Sequence, residues 1–120
     1  MRDAAESAAI RGTAVVSDRP DPGWYAVYVQ DRTLAGVLKY TEDDSGVMSL
    51  LHTEIYPEWE GLGLAGILVG GALDDIRSRE RTVDPVCTYV VGYMNKHPEY
   101  DDLVAHSARG ESLPRKDPRP

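Results

Sequence analysis

The sequence predicts an α/β domain with a mixed β-sheet, in which an antiparallel meander is followed by a β-α-β parallel pair and a C-terminal helix. Three observations support this prediction: extended segments joined by short polar turns, a glycine-rich run at residues 61–66, and an amphipathic segment directly after the glycines. Strands joined by short turns pair antiparallel, whereas a strand-helix-strand order requires a crossover and a parallel pair. The 120-residue chain has the length of one domain.

The N-terminal half of the chain carries the predicted meander. Its first twelve residues are rich in alanine and polar side chains without a clear period, so we expect a loose arm. A domain at residues 13–106 follows, and its sheet is expected to begin near residues 13–16. Three later segments, each bounded by turn-forming residues, carry the alternating or β-branched pattern of strands. They predict strands at residues 24–30, 33–40 and 47–55.

The C-terminal half carries the predicted crossover. After the glycines, apolar residues recur at helical spacing and predict a helix that fades by Arg81. The β-branched run at residues 86–90 follows Pro85 and predicts a fourth strand, parallel to the third, before a last helical stretch at residues 91–96. Residues 107–120 carry almost no apolar side chains and several prolines, so we expect a disordered tail.

The composition limits the possible functions. A formal net charge of −7 opposes nucleic-acid binding, which needs a basic face. No apolar run is long enough to span a bilayer, and the first nine residues lack the apolar core of a secretory signal, so we expect no membrane association and a cytoplasmic location. The single cysteine, Cys87, excludes an intramolecular disulfide and a thiolate metal cluster, and no metal site is predicted. Without a heptad repeat, we expect a monomer or a weak homodimer.

Gly61, Gly63 and Gly66 form the most informative motif, because they stand where an extended segment meets a helix. Glycine permits tight turns, and the open N-terminus of a helix binds anions such as phosphate. The G-x-G-x-x-G spacing also occurs in dinucleotide-binding folds, but those need a parallel sheet before the loop and an acid at the end of the next strand. A P-loop is excluded, because no Gly-Lys-Ser/Thr follows. A simple tight turn without a ligand remains the alternative.

Four short motifs, in their order along the chain, resemble the GNAT N-acetyltransferases, and among them the small stand-alone GNAT-like proteins. They are His52-Thr53-Glu54-Ile55, Gly61-Leu62-Gly63-Leu64-Ala65, Pro85-Val86-Cys87 and His97-Pro98-Glu99-Tyr100. The resemblance covers residues 13–104. It implies that the protein uses acetyl-CoA and that an amine, on a small molecule or on a protein lysine, accepts the acetyl group. It also implies a pyrophosphate site formed by Glu60, Gly61, Leu62, Gly63, Leu64 and Ala65.

The same resemblance implies which residues lie at the acetyl group. We expect His52, Glu54 and Cys87 to surround it, with a backbone N–H near Ile55 as the donor to the oxyanion. His52 is the candidate base, and Glu54 would hold His52 or the amine. Cys87 is a candidate nucleophile that carries the acetyl group as a thioester, with direct transfer as the alternative. Tyr93 is the candidate proton donor to the leaving thiolate.

Two residues of the loop differ from the pattern that the resemblance implies. Glu60 stands before the first glycine and Leu62 between the glycines, where similar proteins carry a basic and a polar residue. A carboxylate near the loop repels phosphate, so we expect a basic side chain elsewhere to compensate. The candidates are Lys96, Arg77 and Arg79, and the expected contacts to the nucleotide are Asn95 and Lys96.

The sequence therefore predicts an acetyl-CoA-dependent N-acetyltransferase. Two alternatives remain open: a non-catalytic module that binds or senses acyl-CoA, and a protein-interaction domain without a cofactor, which would explain Glu60 most simply. The predicted meander leaves no room for the N-terminal helices with which larger GNAT enzymes wall the acceptor pocket. We therefore expect an acceptor site that is open or completed by a partner.

Overall fold

A computed structural model describes residues 2–105, which form a five-stranded mixed sheet with helices. The strands are β1 (Val15–Arg19), β2 (Trp24–Val29), β3 (Thr33–Glu42), β4 (Val47–Ile55) and β5 (Thr82–Pro85). The helices are α1 (Ala4–Gly12), α2 (Leu64–Ser78) and α3 (Thr88–Lys96), with short 3-10 helices at Pro57–Trp59 and Pro98–Leu103. Spatial order follows chain order, with β1 to β4 antiparallel and β4–β5 parallel. The predicted mixed α/β fold is confirmed.

Helix α2 covers one face of the sheet. Its apolar stripe, which includes Leu68, Leu73 and Ile76, is fully buried in the main hydrophobic cluster. The sheet contributes alternate residues to the same cluster, as a half-buried strand should. Tyr25 and Val27 of β2 are among them. The predicted helical period and the predicted alternation in β2 are therefore both present in the fold.

The fourth predicted strand is displaced. Residues 82–85 pair with β4, whereas residues 86–90 were expected to do so. Pro85 ends β5, and the N–H groups of Val86 and Cys87 then both donate to the carbonyl of Leu50. Helix α3 starts directly afterwards, so most of the β-branched run is helical, with Val90 fully buried. Burial of one helical face outweighed the strand preference of β-branched residues.

The predicted loose arm is instead helix α1. Asp3 caps this helix by accepting a hydrogen bond from the N–H of Glu6, and alanine has the highest helix propensity. Ile10 anchors the helix, since only 2% of it is exposed. Strand β1 begins after the helix, at Val15, within the expected residues 13–16, and extends to Arg19.

The predicted disordered tail and the end of the predicted domain, at residue 106, lie outside the described residues. Within residues 2–105, no helix is both long and apolar enough to cross a membrane.

Candidate active site

The glycine loop between β4 and α2 is anchored by buried apolar side chains. Leu62 and Leu64 are 4% and 1% exposed, on either side of the exposed Gly63. Gly61 and Gly63 both have φ of 80°, the left-handed conformation that glycine adopts without strain. Leu62 therefore serves as an anchor for the loop, which explains an apolar residue where the resemblance implied a polar one.

The N-terminus of α2 is open. Gly63 is its N-cap residue, no side chain caps the helix, and the first turn carries no acid. A Cβ atom added to Gly61 would meet no atom within 4 Å, so the loop is not occluded there. Glu60 is exposed beside the loop. Free N–H groups at a helix N-terminus suit an anion, and this geometry fits a phosphate group.

One edge of β4 is unpaired over its second half. Strand β5 ends at Pro85, opposite Leu50, and within residues 2–105 no strand pairs with that edge of β4 beyond this point. The N–H of Tyr56 donates to the carbonyl of Ala35 on the β3 side, so by alternation the N–H of Thr53 points toward the open edge. Because strand geometry repeats every two residues, the N–H of Ile55 points the same way. Beyond Leu50, these N–H groups of β4 are therefore left without a partner strand in residues 2–105.

A β-bulge at Leu51 changes which side chains of β4 face α2. Tyr40 lies opposite Leu50, but Lys39 lies opposite His52, so Leu51 has no partner of its own on β3. Before the bulge, the buried Leu50 faces α2. After it, Thr53 lies opposite the buried Leu38 and faces α2 as well.

His52 and Glu54 therefore lie on the opposite face of the sheet, where both are exposed. We expected His52 to lie beside Cys87, and this juxtaposition is not found. Thr53 occupies that position, with its Oγ1 atom 3.4 Å from Cys87 Sγ. Thr53 belongs to the first motif but was not assigned to the site, since a bulge leaves no mark that periodicity detects.

Cys87 is the N-cap residue of α3 and only 9% exposed. Burial of the thiol raises its pKa. The hydrogen bond from Thr53 and the nearby N–H groups of Val90 and Tyr89 lower it by more, so the pKa of Cys87 lies below its ordinary value. Cys87 makes no capping hydrogen bond to α3, but the partial positive charge at the N-terminus of the helix stabilises a thiolate there. This environment stabilises the thiolate form of Cys87 relative to an ordinary thiol.

Tyr93 faces α2. Its ring stacks on His97 with ring centres 4.1 Å apart, and a Cβ atom on Gly70 would lie 2.6 Å from its hydroxyl oxygen. Burial, followed by the charges of Asp74 and Glu99, raises the pKa of Tyr93, which keeps it protonated. Tyr93 lines a shallow groove of about 650 Å³ that begins at Gly63 and follows α2.

The expected basic partners of the loop lie elsewhere. Arg77 bonds Asp102, and Arg79 bonds Asp18 and Asp75, so both arginines lie at the C-terminal end of α2. A 15-residue helix is about 22 Å long, so neither arginine reaches the loop at its other end. Asn95 and Lys96 are exposed at the end of α3 and remain predicted contacts. Among residues 2–105, no cluster of side chains could hold a metal ion.

Comparison with known proteins adds two findings. A family model described as GCN5-related N-acetyl-transferase matches residues 24–103. The crystal structure of nourseothricin acetyltransferase is similar over 54% of this chain, at 26% sequence identity and a TM-score of 0.40. This chain covers 41% of that protein, less than half of its length. No curated protein matches the chain.

Proposed function

We propose that this chain, which belongs to the GCN5-related N-acetyltransferase family, transfers the acetyl group of acetyl-CoA to an amine. One observation carries the proposal: the open N-terminus of α2 adjoins the unpaired half of β4, with the thiol of Cys87 beside that edge. Together they offer an anion site, a strand edge and a reactive group along one path. His52, Glu54 and Tyr93 would supply proton transfer and contacts to the amine near these groups.

The loop would bind the diphosphate of acetyl-CoA through main-chain N–H groups. Gly61, Gly63 and the first residues of α2, Leu64 and Ala65, supply donors that no described side chain uses as a cap. The helix dipole adds partial positive charge at the same point. Main-chain donors do not depend on side-chain identity, so the site tolerates Glu60 and Leu62 in the loop.

The open edge of β4 would pair with the extended arm of the donor. Its N–H at Ile55 is free to donate to a carbonyl oxygen, which stabilises the charge that develops there during acyl transfer. Acetyl-CoA supplies an activated acetyl thioester. The residues of the chain then have three tasks: to orient the carbonyl, to accept the proton of the amine and to protonate the released thiolate.

Cys87 is the side chain best suited to a covalent route. In the first step its thiolate would bond to the acetyl carbon as the carbon–sulfur bond to CoA breaks, and CoA leaves as a thiolate. In the second step a neutral amine would bond to the same carbon, Cys87 leaves as a thiolate, and the amine loses one proton. Thr53 supports both steps, because its hydrogen bond to Cys87 stabilises the thiolate.

His52 and Glu54 would act on the acceptor side. Because they lie on the sheet face away from Cys87, they suit the direct route, in which an amine from solvent reaches the acetyl group at the open edge of β4. Glu54 would attract a cationic amine, and the imidazole of His52 would accept its proton. Tyr93, held neutral in the groove that begins at the loop, would supply a proton to the departing CoA.

A second candidate, a non-catalytic module that binds acyl-CoA, is favoured by one observation. His52 and Glu54 stand on an exposed sheet face, so no described element walls an acceptor pocket around them. Such a protein would bind the donor, and added amines would not increase the rate at which CoA is released.

The two candidates differ in the release of free CoA. The purified protein would be incubated with acetyl-CoA and with primary amines that include a lysine peptide and a polyamine. We expect amine-dependent release that falls at least tenfold in Cys87→Ala and in His52→Ala. Mass spectrometry of the intact protein should show an acetyl adduct that is absent in Cys87→Ser. Equal slow release by all the proteins would contradict the catalytic proposal and leave the binding module.

A further inference from the structure

We infer that Arg11, on helix α1, binds the phosphate groups of the acyl donor at the glycine loop and replaces the basic residue that the loop lacks. This inference rests on the proposed function, because it assigns a further residue to the same site. Residues 1–12 lie outside the segment that matches the family, residues 24–103, so the family pattern does not assign this arginine. The structure brings it to the loop through α1.

Arg11 lies directly against the open N-terminus of α2. A Cβ atom added to Gly63 would lie 3.5 Å from Arg11 Cδ, and Arg11 Nη1 donates to the carbonyl oxygen of Leu62 at 3.4 Å. That single long hydrogen bond uses one of the five N–H donors of the guanidinium. The remaining donors are available to an anion bound at Gly63, and the planar guanidinium suits two phosphate oxygens at once.

Helix α1 holds Arg11 in this position at both ends. At its C-terminal end Ile10 is buried, and the Thr13 hydroxyl, which donates to the Ile10 carbonyl, accepts a hydrogen bond from the N–H of Gln30. At the other end Arg2 lies over the Trp59 ring, 4.7 Å from its centre, and donates to a carbonyl of the same loop. The helix therefore lies along the loop, and Arg11 is placed by the fold.

The charge of Arg11 is not neutralised within the described residues. Arg77, Arg79 and Arg81 each pair with a carboxylate, whereas Arg11 has no carboxylate within ion-pair distance in residues 2–105. The loop itself carries two exposed acids, Glu58 and Glu60. A diphosphate bound among these acids is repelled unless a cation lies within a few ångströms, and Arg11 is so placed.

The test measures the affinity of the whole protein for two probes, acetyl-CoA and S-acetyl-pantetheine, which has the same thioester arm without the diphosphate and the nucleotide. We expect Arg11→Ala to weaken acetyl-CoA binding about tenfold, as loss of a charge-assisted hydrogen bond does, and to leave S-acetyl-pantetheine unchanged. Arg11→Lys, which keeps the charge, should retain most of the affinity.

Arg81→Ala is the matched control. It removes the same charge at the other end of α2, about 22 Å away, well beyond the screening length in physiological salt. We expect its affinity for acetyl-CoA to equal that of the wild type. Melting without ligand shows whether each variant keeps the fold.

Three results would overturn the inference. If wild type and Arg11→Ala bind acetyl-CoA equally, Arg11 does not contact the phosphates, while the proposed function stands. If Arg11→Ala weakens both probes equally, or melts well below the wild type, Arg11 only fixes α1 to the loop. If the wild-type protein binds neither probe, the proposed function itself fails, and the inference fails with it.

Discussion

Alanine in place of Gly63 tests whether the loop conformation serves binding. Gly63 has φ of 80°, and an L-residue in the left-handed region costs about 1–2 kcal/mol. Alanine also restricts the unfolded chain, which returns part of that cost, so we expect a net loss of about 1 kcal/mol in the free energy of unfolding. For a domain of this size the melting temperature should fall by about 4 °C.

The same substitution should weaken the binding of acetyl-CoA. Strain at position 63 is relieved when the loop leaves the left-handed conformation, and the N–H groups at the start of α2 then no longer converge. A loop destabilised by about 1 kcal/mol relative to its relaxed forms binds about fivefold more weakly. Calorimetric titration with acetyl-CoA measures this change directly.

Gly46→Ala supplies the control for strain alone. Gly46 has φ of 84° in the turn between β3 and β4, and the nearest atom to an added Cβ is the flexible Arg81 side chain at 3.3 Å. It should lose about as much stability as Gly63→Ala and bind acetyl-CoA like the wild type. If both variants keep full affinity, the left-handed loop has no role in binding and the reasoning is refuted.

Three further predictions concern single side chains. Thr53→Val removes a hydrogen bond that lowers the pKa of Cys87, so alkylation of Cys87 near pH 7, followed by mass spectrometry, should slow; an unchanged pH profile would contradict this. Glu80→Gly should raise the free energy of unfolding by about 1 kcal/mol, because Glu80 has φ of 59° just after α2, a left-handed conformation that glycine adopts without strain. A lower midpoint in a thermal melt would contradict this prediction. Burial and hydrogen bonds to Asp75 and Asp18 raise the pKa values of Tyr25 and Tyr40. Because the folded state keeps these phenols neutral, stability should be intact below pH about 10 and fall above it, and a Tyr25→Phe/Tyr40→Phe variant should show a shallower loss.

The sequence contained the fold class because the relevant signals are local. Alternation in β2, helical spacing after Gly66 and the glycines themselves each depend on neighbouring residues, and they predicted the meander and the crossover correctly. The last strand was misplaced because residues 86–90 have strand propensity, while the burial of Cys87 and Val90 on one side of α3 is a tertiary property.

The site was predicted less completely, for a geometrical reason. Strict alternation from the buried Met48 and Leu50 would turn His52 toward α2, and one extra residue at Leu51 reverses every later side chain of β4. Cys87 was identified by resemblance, but its contact with Thr53 depends on that bulge. Arg11 was hidden in a segment expected to be a loose arm, because contacts with residues 62 and 63 do not show in sequence periodicity.

Binding of acetyl-CoA at the open N-terminus of α2 underlies both the proposed function and the proposed role of Arg11. The most direct measurement is the melting temperature of the purified protein as acetyl-CoA is raised to millimolar concentration. A ligand at one hundred times its dissociation constant stabilises the folded state by about 2.7 kcal/mol, which predicts a rise of about 10 °C. A cooperative melt whose midpoint does not move at millimolar acetyl-CoA would contradict binding at this site.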